Sequence, residues 1–140
     1  MVAIFADVPD QGENAAPTAA DAQVAVARLL EVSADARGCV ILDPRGEPLA
    51  ASGPIEYWGE AGRALLAAAD AAAGEPVSHA HVGTEDGEAF AVRLDDLALV
   101  AATERFTLAG LFLFDARSVL RELARGPAAA PVAATQREAA

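Results

Sequence analysis

The chain contains no lysine: all ten of its basic residues are arginine, set against 21 aspartates and glutamates. A phosphate-binding P-loop needs a lysine at the end of its glycine-rich turn, so the sequence excludes this class of nucleotide-binding protein. The formal net charge of −11 repels the phosphates of nucleic acids and the headgroups of anionic lipids. We therefore expect neither nucleic acid nor a membrane surface as a partner.

Cysteine and long hydrophobic runs are also scarce. The only cysteine, Cys39, excludes an internal disulfide, and its apolar neighbours indicate a buried thiol. No apolar run approaches the roughly 20 residues of a membrane-spanning helix. The first eight residues also lack the basic and apolar regions of a signal peptide. We expect a cytoplasmic protein without membrane insertion.

Aromatic residues make up 5% of the chain, whereas hydrophobic residues make up 54% and many of these are alanine. The core should therefore consist of small and aliphatic side chains around closely packed helices. The 140 residues suffice for one domain. We place it at residues 21–125, between a mostly disordered leader (1–20) and a disordered tail rich in proline and alanine (126–140).

Five short segments have the composition of β-strands. Two form a hairpin around a Pro-Arg-Gly turn, and three form a meander whose turns contain Asp-Gly and Asp-Asp. Two of the strands are apolar on both faces and should be central, whereas the strand with Pro48 and the short strand His79–Gly83 should be edges. These assignments predict the spatial order 2-1-5-4-3 for strands over residues 39–42, 47–52, 79–83, 88–94 and 97–102.

Three segments have helical periodicity. The first spans residues 22–36 and is capped by Asp21; the second spans residues 56–73. The third spans residues 108–125, is capped by Thr107, and is apolar almost all round in its first half, which indicates deep burial or contact with a second element or subunit. In the middle helix a stripe of small residues is predicted to face the sheet: Ala61, Ala64, Leu65, Ala68 and Ala72.

The element order is therefore α-β-β-α-β-β-β-α. The middle helix must cover one face of the antiparallel sheet, and the first and last helices must cover the other. This arrangement predicts an α+β fold, an α/β/α sandwich over one five-stranded sheet.

The succession of these features resembles the Roadblock family of dynein light-chain-type domains. The resemblance covers residues 21–125 and lies in the element order, the run from Gly38 to Asp43, Gly46, the turn from Gly83 to Glu88, and the closing leucine-rich helix. It implies a homodimer, or a heterodimer with a similar domain, that regulates or scaffolds a small Ras-like GTPase. An edge strand covered by its twin also avoids exposed backbone groups.

Carried over to this chain, the resemblance implies two sets of site residues. The dimer interface would be the third strand and the middle helix, through His79, Ala80, His81, Val82, Leu65, Leu66 and Ala69. The partner surface would be the polar face and the aromatic start of that helix, through Tyr57, Trp58, Glu60, Arg63 and Asp70. Tryptophan is enriched at binding hot spots, although Trp58 is equally compatible with a structural role at the helix start.

Catalytic patterns are missing. The serines have no nucleophile-elbow context, and the paired carboxylates Glu85-Asp86 and Asp95-Asp96 fall in turns, where aspartate serves backbone hydrogen bonding. His79 and His81 share a strand face, but two imidazoles make an incomplete metal site. We expect no enzymatic activity, no cofactor and no bound metal. The alternatives to a GTPase-associated module are a profilin-like sensor of a small ligand and a plain assembly scaffold.

Overall fold

Eight elements follow one another along residues 16–126, the part of the chain that this computed structural model describes. Residues 1–15 and 127–140, which hold most of the predicted leader and tail, lie outside it. Within residues 16–126, no helix is both long enough and apolar enough to span a bilayer. In chain order the elements are α1 (Ala19–Val32), β1 (Ala36–Leu42), β2 (Pro48–Ala51), α2 (Ile55–Ala73), β3 (His79–Gly83), β4 (Glu88–Leu94), β5 (Leu97–Thr103) and α3 (Ala109–Arg125).

The strands form one antiparallel sheet in the order β2-β1-β5-β4-β3, which confirms the predicted topology. The central pairing of β1 with β5 aligns Val40 with Val100, and both residues are buried. Pro48 lies in the edge strand β2, where the missing N–H removes no ladder bond from the sheet interior.

Two cores of different character lie on the two faces of the sheet. Helices α1 and α3 cover the larger core, in which the rings of Phe90 and Phe112 pack with their centroids 4.8 Å apart. Helix α2 covers the smaller core, which is built from short side chains: Val40, Leu42, Ala51, Leu66, Ala91, Ala98 and Val100.

The first helix begins earlier than the sequence predicts. Thr18 is its N-cap, and Asp21 lies at the third helical position, where the two residues form a reciprocal capping box. The prediction that Asp21 caps the helix was wrong. Aspartate is favoured both at the N-cap and in the first turn of a helix, so its presence alone does not identify the cap. The helix also ends at Val32, and Ala36, its predicted last residue, already belongs to β1.

The last helix lacks the predicted cap. Within residues 16–126, no side chain caps α3, whose N-cap is Leu108. The hydroxyl of Thr107 instead donates to the carbonyl of Glu104 at 2.6 Å and lies 3.0 Å from the hydroxyl of Thr103. Thr107 therefore stabilises the connection after β5 and not the first turn of the helix.

The face of α2 that meets the sheet differs from the prediction. Ala61, Ala64, Ala68 and Ala72 are exposed, whereas Gly59, Gly62 and Leu66 are buried. A Cβ atom on Gly62 would lie 3.1 Å from Cγ1 of Val40, and one on Gly59 would lie 2.8 Å from Cγ of Pro48. The helix therefore contacts the sheet through its glycines. Hydrophobic periodicity does not identify this face, because glycine is not counted as a hydrophobic residue. Its stripe of alanines faces outward.

Candidate association surfaces

The strand β3 forms one edge of the sheet. Among residues 16–126, no strand pairs with its outer side. Four of its five residues are exposed, and Val82 keeps 41% of its surface. An exposed strand edge presents a row of unsatisfied N–H and C=O groups, so it is a site where another strand can bind.

The register identifies which backbone groups of β3 point outward. The N–H of Arg93 donates to the carbonyl of Ser78, and the N–H of Thr84 donates to the carbonyl of Gly87, both at 2.8 Å. In an antiparallel pair these bonds alternate, so residues 78, 80, 82 and 84 bond to β4. The N–H and C=O groups of His79, His81 and Gly83 therefore point away from the sheet. We call this row the β3 edge.

The side chain of His81 is held in place by its neighbours. Its ring stacks on Phe90 with 4.3 Å between centroids, and Nε2 lies 2.8 Å from Oε1 of Glu88. Oε2 of the same carboxylate accepts the N–H of Phe106 at 2.8 Å. The hydrogen bond from His81 is the main cause that lowers the pKa of Glu88. Glu88 thus links the β3 edge to the loop that precedes α3.

The outward surface of α2 is apolar and smooth. We call Ala61, Ala64, Ala68 and Ala72 the alanine face. Tyr57 continues the same outward surface at the helix start and is 67% exposed. Glu60 is exposed on the next row of the helix. Small side chains over a wide arc let another helix approach to about 8–10 Å between axes.

Trp58 lies against the sheet and does not stand free in solvent. A Cβ atom on Gly38 would lie 2.7 Å from Cζ2 of this ring, and one on Gly53 would lie 2.9 Å from Nε1. The ring is half-buried and meets Tyr57 edge-on, with centroids 6.3 Å apart. Removing this ring would open a gap over β1 and β2, so Trp58→Ala tests the fold together with any partner contact.

The side chains of Arg63 and Asp70 form hydrogen bonds within the chain. Arg63 Nη1 donates to the carbonyl of Gly46 at 2.9 Å. Both oxygens of Asp70 accept from Arg93 at 2.9 Å, and Oδ1 also accepts the N–H of Val77 at 2.9 Å. These bonds, the one to Arg93 foremost, lower the pKa of Asp70 to about 2. Asp70 therefore anchors the end of α2 to β4 and to the loop that precedes β3.

The predicted dimer residues on α2 divide into two groups. Leu66 is only 7% exposed because it packs into the small core of its own chain. Leu65 and Ala69 are half-buried on the flank of α2 away from Arg63, toward β4 and β3. On the same side of the sheet, Ala80 packs against the small core from β3. Leu65, Ala69 and Ala80 thus keep accessible surface on this side of the sheet, whereas Leu66 does not.

The other chemistry considered from the sequence has little support among residues 16–126. Burial raises the pKa of the Cys39 thiol to about 12, so the thiol stays protonated and poorly nucleophilic. In this range no three His, Cys, Asp or Glu side chains are placed to hold a metal ion. A cleft of about 250 Å³ lies between the β1–β2 and β4–β5 turns. It is smaller than the roughly 300–1,000 Å³ typical of ligand pockets.

An antiparallel five-stranded sheet with one helix on one face and two on the other is an α/β/α sandwich. The chain has a Roadblock-type fold. No protein-family model matches it, and no curated protein matches it in sequence.

Solved structures give the comparison for the fold. A Roadblock/LC7 domain from Streptomyces avermitilis is similar with a TM-score of 0.61 at 13% identity, covering 71% of this chain and 92% of that one. Myxococcus xanthus MglB gives 0.62 at 15% identity, over 76% of this chain and 87% of that one. The gliding protein MglB from Thermus thermophilus gives 0.61 at 18% identity, with the same shares.

Proposed function

We propose that the chain is a dimeric interaction module that regulates or scaffolds a small Ras-like GTPase. The observation that carries the proposal is that one Roadblock-type fold has two exposed surfaces, the β3 edge and the alanine face. The resemblance of the sequence to the Roadblock family implies the same use of these two elements. Structural neighbours include MglB proteins, one of which is described as having a tetrameric arrangement.

The dimer follows from a two-fold axis beside β3. Antiparallel pairing of two β3 edges satisfies the outward N–H and C=O groups of His79 and His81 in both copies. The same axis brings the α2 helix of each copy toward the other across the open surface beside Leu65 and Ala69. The small side chains along α2 permit a close helix–helix approach.

A backbone substitution tests this dimer. His79→Pro removes one outward N–H and leaves the inward bonds of β3 intact, whereas His79→Ala removes only the ring and keeps that N–H. Light scattering at micromolar concentration should show a monomer for His79→Pro and a dimer for His79→Ala. Circular dichroism should show both variants folded. A parent protein that is monomeric at this concentration would contradict the proposal.

The GTPase requires a separate test. The chain should form a complex with a Ras-like GTPase encoded near it, measured by titration calorimetry with GDP and with a GTP analogue. Hydrolysis assays with and without the chain then separate stimulation from scaffolding. Tyr57→Ala combined with Glu60→Arg should abolish the complex and keep the dimer, because both side chains are exposed.

The matched control is Val24→Ala, which changes an exposed apolar residue of α1 on the other side of the sheet. This variant should bind the GTPase as the parent does. Equal loss of binding for the control would mean that the contact is not at α2. A dimer that binds no such GTPase in either nucleotide state would leave plain assembly as the function.

A further inference from the structure

A second apolar surface lies on the opposite side of the sheet from α2. It consists of Phe106, Leu108, Leu111 and Phe114, which are 80%, 70%, 59% and 64% exposed. We call this surface the α3 patch. Large apolar side chains grouped on a surface mark a binding site or an aggregation hazard. The sequence allows deep burial of this segment or contact with a second element or subunit. Deep burial is wrong for Leu108, Leu111 and Phe114, and contact with a second element or subunit stays a prediction.

The turn that carries Phe106 is held in place. Phe106 has a positive φ of 63°, its N–H is bonded to Glu88, and the guanidinium carbon of Arg105 lies 4.7 Å from its ring centroid. A phenylalanine fixed outward in an unfavourable backbone conformation is a feature of the fold and not a frayed end.

An arginine ridge follows the patch along α3. Arg117, Arg121 and Arg125 are spaced four residues apart, so they lie one above another on the helix. Within residues 16–126, none of the three is in a salt bridge, whereas Arg28, Arg37, Arg45 and Arg93 are all paired with carboxylates. The described part of the chain thus keeps a basic ridge without salt bridges beside an apolar patch, although the net charge of the full sequence is −11. A segment that complements both must be apolar at one end and acidic at the other.

We infer that residues 1–15 of the same chain bind along α3 and cover this surface. Most of their large apolar side chains come first, at Met1, Val2, Ile4 and Phe5, and Val8 lies among the later residues. Their acidic side chains follow, at Asp7, Asp10 and Glu13, and the segment has no basic residue. The order along the segment matches the order of patch and ridge along α3.

The topology brings the segment to the correct end of the helix. The N–H of Glu104 donates to the carbonyl of Asp35. The end of α1 and the start of α3 therefore lie at the same end of the central strands β1 and β5. The two helices therefore run in opposite directions. Arg28, nine residues after the start of α1, pairs with Glu122, three residues before the end of α3, so the start of α1 extends past the end of α3. In the proposed arrangement, residues 1–15 therefore approach α3 from the Arg125 end. Their acidic part reaches the ridge before their apolar part reaches the patch.

The length of the segment is sufficient. Along α3, the 14 residue steps from Leu111 to Arg125 span roughly 21 Å at 1.5 Å per residue, and the part of α1 beyond Arg125 adds about 9 Å. The 11 residue steps from Phe5 to Ala16 span up to about 36 Å when extended. Phe5 can therefore reach Leu111 in its own chain. A second copy is a weaker candidate because the proposed two-fold axis lies beside β3 and α2, and the α3 patch stays exposed in that dimer.

Cysteine cross-linking in the full chain tests the inference. In a Cys39→Ala background, Phe5→Cys is combined either with Leu111→Cys or with the control Ala61→Cys on the alanine face. Mild oxidation should link Phe5→Cys to Leu111→Cys within one chain at least about tenfold faster than to Ala61→Cys. Equal rates, or links only between two chains, would overturn the proposal.

A charge exchange gives an independent readout. Reversing Asp7, Asp10 and Glu13 to arginine should accelerate amide exchange in residues 106–118 several-fold, because the ridge then repels the segment. Reversing the exposed Glu56, Glu60 and Glu75 is the matched control and should leave this exchange unchanged. Adding Arg117→Glu, Arg121→Glu and Arg125→Glu to the reversed segment should restore protection. Unchanged exchange in the first variant, or no restoration in the last, would also overturn the inference.

Discussion

The two faces of the sheet differ in the size of the side chains that they bury. The face under α1 and α3 buries the largest side chains of the described chain, among them Phe90, Phe112 and Leu120. The face under α2 is a thin layer of valine, alanine and leucine with a helix lying on glycine. Stability should therefore reside mainly on the first face. On the second face, the alanine face of α2 stays exposed.

The largest expected effect compares one large side chain from each core. Phe112→Ala should reduce the free energy of unfolding by about 3–5 kcal/mol, because it removes a ring packed against Phe90 and leaves a cavity. Leu66→Ala should cost nearer the lower end of the usual range, about 2 kcal/mol, since the thin layer can relax around it. Urea unfolding by circular dichroism measures both values. A larger loss for Leu66→Ala would contradict the comparison.

A smaller effect is expected from adding one methyl group under α2. Gly62→Ala places a Cβ atom 3.1 Å from Val40, so the helix must move away from the sheet. Overpacking costs about 1–3 kcal/mol and outweighs the gain of up to about 1 kcal/mol in helix propensity. The net loss should be about 1 kcal/mol, measured by urea unfolding.

The matched control for that substitution is Gly110→Ala in α3. In the described part of the chain, nothing lies within 4 Å of the added Cβ atom. This variant should stabilise the protein by a few tenths to about 1 kcal/mol, through helix propensity alone. If both variants stabilise, the close approach of α2 to the sheet does not limit its packing.

The smallest expected effect is a pH dependence on the α2 face. The carboxyl of Asp70 has a pKa of about 2, below its ordinary value of 3.8, because Arg93 and the N–H of Val77 bond to its charged form. Its contribution is complete above about pH 4 and is lost as the pH falls through about 2. Asp70→Asn should therefore be less stable than the parent at pH 7, and the difference should shrink toward pH 2. Thermal unfolding at several pH values measures this, and a difference that grows toward low pH would contradict the assignment.

The sequence was sufficient to predict the strand order. It was not sufficient to predict which face of α2 meets the sheet, or which residues cap the first and last helices. Strands that are apolar on both faces must be central, and Pro48 must be at an edge, so β1, β5 and β2 were placed by chemistry alone. Burying an alanine side chain changes the free energy of folding only slightly, so a stripe of alanines does not indicate which face of a helix is buried. Gly59 and Gly62 carried that information, because only glycine permits this approach to Pro48 and Val40.

The site residues stay a prediction, but the structure divides them by their surroundings. Tyr57 and Glu60 are exposed, whereas Asp70 and Leu66 are engaged in their own chain. No sequence pattern distinguishes a surface aspartate that binds a partner from one that anchors a loop, because the arginine that decides it lies 23 residues away. The α3 patch was seen in the sequence only as an excess of apolar residues.

By itself, the sequence determined the strand order, the edges and the layered architecture, because alternation and burial on both faces constrain each strand locally. The tertiary structure decided which side of α2 meets the sheet, which charges are paired, and that Leu111 and Phe114 remain exposed. These outcomes depend on distances between segments far apart in the chain, and a pattern of neighbouring residues contains no such distances.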